Sequence, residues 1–166
     1  IVFGDADLDA AVAGLMAASS FANSRLVSRV GMRRLSHGAL IGFLTVSAVW
    51  FVWSLTGPVP LAAFVGLFAL AMIQFGWIGS NFNSIAMEPL GHIAGTASSI
   101  QGFIQTLGGG VVGALIGQAF DGTVTPLAAG FFGVAAVALG LVLIAERGRL
   151  FGTSSSATDP SGSMGH

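Results

Sequence analysis

The chain has 166 residues, 54% hydrophobic and 8% charged, with 25 glycines and no cysteine, tyrosine or lysine. An average soluble domain carries about 25% charged residues, so a soluble chain of this size could not cover its surface with so few. The mean hydropathy of +0.86 agrees and leaves a membrane protein as the fitting class; the net charge of −1 carries no information, and the missing cysteines exclude disulfides, thiol chemistry and cysteine metal sites.

Ile1 is not a start residue, and no positively charged leader with a cleavage site precedes the first apolar run. The chain therefore reads as a fragment, with Ile1-Val2-Phe3 as the end of an earlier helix. Asp5, Asp7 and Asp9 form an acidic lead-in, and a first span runs from about Leu8 to Val27. Asn23 to Arg34 then holds four of the six basic residues, as Arg25, Arg29, Arg33 and Arg34. A second span covers about 36–55 and ends at Thr56-Gly57-Pro58-Val59-Pro60, a strong turn signal. The third covers about 61–83 and leads into a loop at Glu88-Pro89-Leu90-Gly91-His92. The fourth covers about 94–120, Asp121 to Pro126 turns the chain, and the fifth covers about 127–145. Each run reaches the ~20 helical residues that a bilayer core requires. The expected fold is all-α, a polytopic membrane helix bundle over residues 1–150. Residues 151–166, rich in Ser, Gly and Thr, read as a disordered cytoplasmic tail.

Arginine clusters stay on the cytoplasmic side of a membrane. If the Arg25–Arg34 stretch is a cytoplasmic loop, five spans place all six arginines and the C-terminus on that side. Asp5, Asp7, Asp9 and Asp121 then fall outside with no basic residue. Trp50 and Trp53 come near the outer end of the second span, where an aromatic belt is expected. His37 and His92 come at cytoplasmic ends, where a solvated ring is expected.

Polarity separates the spans. The second and fifth are nearly devoid of polar side chains and read as peripheral. The first, third and fourth carry amides and hydroxyls that need other helices or a wet cavity. In the fourth, Ser98, Gln101 and Gln105 share a stripe beside Gly102 and Gly109-x-x-x-Gly113-x-x-x-Gly117, a spacing that lets helix backbones approach closely. In the third, Gln74, Trp77 and Asn81 fall at i, i+3 and i+7; in the first, Met16, Ser19, Ser20 and Asn23 repeat the pattern. The glutamines either bond across helices or line a substrate path, and the candidate cavity-lining set is Gln74, Trp77, Asn81, Gln101 and Gln105. The glycines read as packing surface. No Asp, Glu, Lys, Arg or His lies mid-span, so no proton relay is visible. There is no phosphate-binding glycine loop, no histidine pair at metal spacing and no nucleophile elbow. The sequence points to no enzyme, metal, cofactor or nucleic-acid partner.

The arginine stretch resembles the loop motif Gly-x-Leu-Ala-Asp-Arg-x-Gly-Arg-Arg/Lys of the major facilitator superfamily. Ser24 stands at the first glycine, Leu26 at the leucine, Ser28 at the aspartate, Arg29 at the arginine, Gly31 at the second glycine and Arg33 at the last basic position. The lost aspartate looks like the second, degenerate copy between the eighth and ninth helices. Together with Ala94-Gly95-Thr96-Ala97-Ser98-Ser99, the stretch is similar to the Bcr/CflA-type multidrug efflux branch. The resemblance implies helices eight to twelve of a twelve-helix carrier, a multi-pass protein of the inner (plasma) membrane. Its ninth and twelfth helices would be peripheral and its eighth, tenth and eleventh would border a central cavity. It implies proton-coupled efflux of small amphipathic molecules, a cytoplasmic gating role for Arg25, Arg29, Gly31 and Arg33, and a missing N-terminal half as partner. The alternatives are the same fold carrying a metabolite, such as a sugar, amino acid or organic acid, or a membrane scaffold without transport.

Overall fold

The computed structural model describes residues 5–146; the tail at 151–166 lies outside them, as does Ile1-Val2-Phe3. The described residues form helices and the short turns between them: α1 (Asp5–Val30), α2 (Met32–Thr56), α3 (Leu61–Met87), a 3-10 turn (Glu88–Ile93), α4 (Ala94–Gln118) and α5 (Thr125–Ala145).

Three helical stretches are long and apolar enough to cross a membrane: Met32–Thr56, Leu61–Gln118 and Thr125–Ala145. They suggest a membrane-embedded protein. The middle stretch has 58 residues, about 87 Å if it were one straight helix, nearly three times the ~30 Å of a bilayer core. It is not straight. Pro89 enters the 3-10 turn, Leu90 leaves helical geometry (φ −103°, ψ 15°), and Ile93 (φ −128°, ψ 26°) precedes α4.

The chain breaks where backbone chemistry demands it. Gly57 adopts φ 155° and is followed by Pro58 and Pro60, which end α2 and open α3. Between α4 and α5, Gly122 has φ 87°. There the Oδ1 of Asp121 accepts from the Thr123 hydroxyl at 2.6 Å and from its backbone N–H at 2.9 Å, a short polar turn before Pro126. Those two donors, the hydroxyl first, hold the Asp121 carboxyl below its ordinary range.

The arginine stretch, expected as a loop, is helical on both sides of one residue. Gly31 alone breaks it, with φ 84°. Helical bonds run up to it (Gly31 N–H to Val27 O, 2.9 Å) and away from it (Leu35 N–H to Gly31 O, 3.1 Å). Arginine is a good helix former, and no glycine or proline lies between Asn23 and Val30 to stop α1 earlier.

Inside the bundle α2 is central, not peripheral. It packs against both α3 and α5. Its residues Ser36, Leu40, Phe43, Ser47 and Trp50, all buried, recur at alternating spacings of four and three, the seam of close helix packing. Phe43, Ala71 and Ala135 form the buried cluster, with Leu44, Val46, Ile78 and Phe131 against it. In hydrocarbon an apolar helix gains nothing by facing a neighbour rather than lipid except packing, so low polarity does not send α2 to the edge. Trp50, expected in an interfacial belt, has 0% exposure. Its indole meets Phe64, Phe68 and Phe131 edge-on at centroid distances of 5.3, 6.3 and 5.7 Å. Trp53 remains exposed. His37 is likewise buried rather than solvated, its ring 6.3 Å from that of Phe82.

α2 and α5 run in opposite directions. Arg33 at the start of α2 meets Glu146 just beyond α5 (3.4 Å), and at the other end the Thr125 hydroxyl donates to Ser54 O (3.3 Å). α4 stands apart, with no buried residue.

Candidate functional site

The five candidate cavity residues do not converge. On α3, Trp77 and Asn81 turn toward α1. The Trp77 indole N–H donates to Ser19 Oγ (3.0 Å) and Ser19 O (3.1 Å), and Asn81 Nδ2 donates to Asn23 Oδ1 (2.9 Å). The four residues form a two-rung polar ladder between parallel helices, the two rungs lying four residues apart along each helix. Asn81 is buried within it. An amide or indole N–H in an apolar surround needs a partner, and α1 supplies both.

Gln74 faces α2 instead. Its Nε2 donates to Leu70 O (3.1 Å), and its Oε1 lies where a Cβ on Gly42 would sit. Gly42 is the notch that admits the amide. A matching notch occurs at Gly130 of α5, which takes the Ile116 side chain of α4.

Gln101 and Gln105 lie on α4, away from the ladder. Gln105 lines a cleft of about 690 Å³ walled by α2, α3, α4 and α5. The other side chains around it are apolar, chiefly Phe43, Met72, Phe75, Phe131 and Val134. Gly108, Gly109 and Gly113 form its α4 wall. A Cβ at Gly109, Gly113 or Gly117 would meet nothing within 4 Å. In the described bundle the glycine seam therefore borders empty volume rather than a neighbouring helix. Gln105 makes no hydrogen bond among the described residues, and Gln101 is half-buried one turn away without reaching the cleft lining.

The arginines gather at one end. Arg25 lies over the Phe21 ring, 4.8 Å from its centroid, and Arg33 pairs with Glu146. Arg29 and Gly31 are exposed beside them. The Arg33–Glu146 contact is the one described link between the arginine end of α1–α2 and the end of α5, and its exposure makes it weak and salt-sensitive.

Gln105, Gly109 and Gly113, singled out in the sequence, lie at this cleft, but the glycines expected to pack against a helix face open space instead. Sequence reasoning missed the phenyl rings opposite them, because one apolar residue among many in a membrane helix carries no mark of which face it shows. A comparison with known protein families, curated proteins and solved structures gives no match.

Proposed function

We propose that this chain is part of the carboxyl-terminal half of a secondary carrier of the major facilitator type, exporting small amphipathic molecules by alternating access. The observation that carries the reading is the antiparallel pairing of α2 with α5, far apart in the chain, while α4 stays open. A half built from two inverted three-helix repeats relates its third helix to its sixth in this way. All five helices would cross the membrane, with the arginine end and the C-terminus cytoplasmic. α1, the least apolar, would border an aqueous cavity. The open faces of α1 and α4 would meet the amino-terminal half, which would also supply the proton-carrying group. The lack of any ionisable side chain in the cleft lining favours uncharged cargo over anionic metabolites.

The test is drug accumulation in cells expressing the protein together with whatever its coding frame encodes upstream. Lower accumulation that a protonophore restores supports the reading, and Arg29→Gln should slow export without reducing membrane insertion. Equal accumulation with and without the protein, across cationic and neutral compounds, would end it.

A further inference from the structure

The outer face of α2 carries an inference that rests on the chain being membrane-embedded and not on the carrier reading. Arg34, Gly38, Ile41, Thr45, Val49 and Val52 recur at spacings of four and three, and all are exposed. They form one stripe opposite the buried seam of Ser36, Leu40, Phe43, Ser47 and Trp50, so neither α3 nor α5 covers it. Below Arg34 the stripe asks for no polar partner. The Thr45 hydroxyl donates to Ile41 O within the helix (2.8 Å), and the rest is apolar or glycine. Gly38, one turn below Arg34, has open space where a Cβ would stand. From Arg34 to Thr45 the helix rises about 16 Å, roughly half of a ~30 Å bilayer core and so the depth of one leaflet.

Charge at the head of this stripe is unbalanced. The Arg33 guanidinium meets Glu146, whereas Arg29 and Arg34 have no carboxylate partner among the described residues. Leu26, Val30 and Met32, interleaved with the arginines, are 37%, 45% and 37% exposed. Apolar side chains mixed with cations suit the boundary between headgroups and acyl chains better than water. An acidic peptide could meet the guanidiniums, but to cover Ile41 and Val49 it would have to take its backbone into hydrocarbon. A soluble anion meets the charge alone. A zwitterionic lipid covers the stripe yet brings a cation of its own to the arginines. We infer that the outer face of α2 binds an anionic phospholipid of the leaflet on the arginine side. Its headgroup lies at Arg34 and its acyl chain runs along Gly38, Ile41 and Thr45, while Glu146 holds the Arg33 guanidinium in reserve.

A bimane fluorophore on Ile41→Cys tests this in the full chain in lipid nanodiscs. Val137→Cys is the control, exposed on α5 opposite the buried Ala135 and as many residues from Glu146 as Ile41 is from Met32, hence equally deep. Phosphatidylglycerol or phosphatidylcholine, each brominated partway down its acyl chains, is supplied at equal mole fractions and the quenching compared. At Ile41→Cys phosphatidylglycerol should reach half-maximal quenching at least about fivefold below phosphatidylcholine, since one arginine near an anionic headgroup accounts for about that factor. At Val137→Cys the two lipids should quench alike. Arg34→Gln, a change at an exposed position, should lower the preference about fivefold, and Glu146→Gln, which releases Arg33, should raise it. Inorganic phosphate at matched ionic strength should leave it unchanged. Equal quenching by the two lipids at Ile41→Cys would overturn the proposal, as would an equal preference at Val137→Cys or one that Arg34→Gln leaves intact. A preference that phosphate abolishes would assign the arginines to a soluble anion and overturn it too.

Discussion

Trp50→Ala should be the most damaging single truncation in α2, and Trp53→Ala three residues later should be nearly silent. The indole of Trp50 is wholly buried, with three ring neighbours within 6.3 Å. Large-to-small changes at such sites cost about 3–5 kcal/mol, and each aromatic pair accounts for about 0.5–1.5 kcal/mol beyond area. In a bilayer the loss is one of packing, since the unfolded helices remain in hydrocarbon. One term opposes it. The buried Trp50 Nε1 has no hydrogen-bond partner, so deleting it removes an unsatisfied donor worth about 1 kcal/mol or more. The net expectation is about 2–4 kcal/mol for Trp50→Ala, below about 1 kcal/mol for the 41%-exposed Trp53, and an intermediate value for Trp50→Phe, which keeps a ring and loses the orphan N–H. Reversible unfolding of the full chain in mixed dodecylmaltoside and dodecylsulfate micelles, followed by far-ultraviolet circular dichroism, measures all three. A Trp53→Ala effect equal to or larger than that of Trp50→Ala would refute α2 as the centre of the bundle.

The polar ladder gives a second prediction. A double-mutant cycle with Asn23→Ala and Asn81→Ala should return a coupling of about 0.6 kcal/mol, with ~1.7 kcal/mol as an upper bound for such bonds in membranes; strictly additive effects would remove the contact. The Asp121 turn gives a third. A depressed carboxyl contributes its stabilisation above the unfolded value and loses it as pH falls through the lower folded one. The Thr123 amide resonance should therefore titrate with a midpoint below 3.8, and a midpoint at or above that value would contradict the two hydrogen bonds.

Much of the backbone was legible because glycine and proline mark it. The turns at Gly57–Pro60 and Asp121–Pro126 and the break after Met87 lie where such residues stand. The arginine junction is not legible as helix, because a charge cluster fits a loop and a helix end equally well; helix propensity carries α1 through Arg29 and only Gly31 interrupts it. Burial was the least legible property. In soluble helices an apolar stripe reveals the core, but α2 and α5 carry almost no polar side chain mid-span, so nothing in the sequence marks Trp50 and His37 as enclosed. Of the polar stripe on α3, Trp77 and Asn81 turn to α1 whereas Gln74 turns to α2. Its destination was not readable, because the same spacing serves a cavity and an interhelical ladder, and α1 carries the matching Ser19 and Asn23.

The central claim, a bundle whose helices cross the bilayer in alternation with its arginines on one side, is most directly tested by cysteine accessibility. The chain has no cysteine, so single substitutions report without background. Arg34→Cys, Pro58→Cys, His92→Cys and Thr123→Cys sample the four connections between helices. The account predicts that a membrane-impermeant maleimide applied from outside labels Pro58→Cys and Thr123→Cys, and reaches Arg34→Cys and His92→Cys only after permeabilisation. Labelling of His92→Cys from the same side as Pro58→Cys, or of Thr123→Cys from the side of Arg34→Cys, would contradict it.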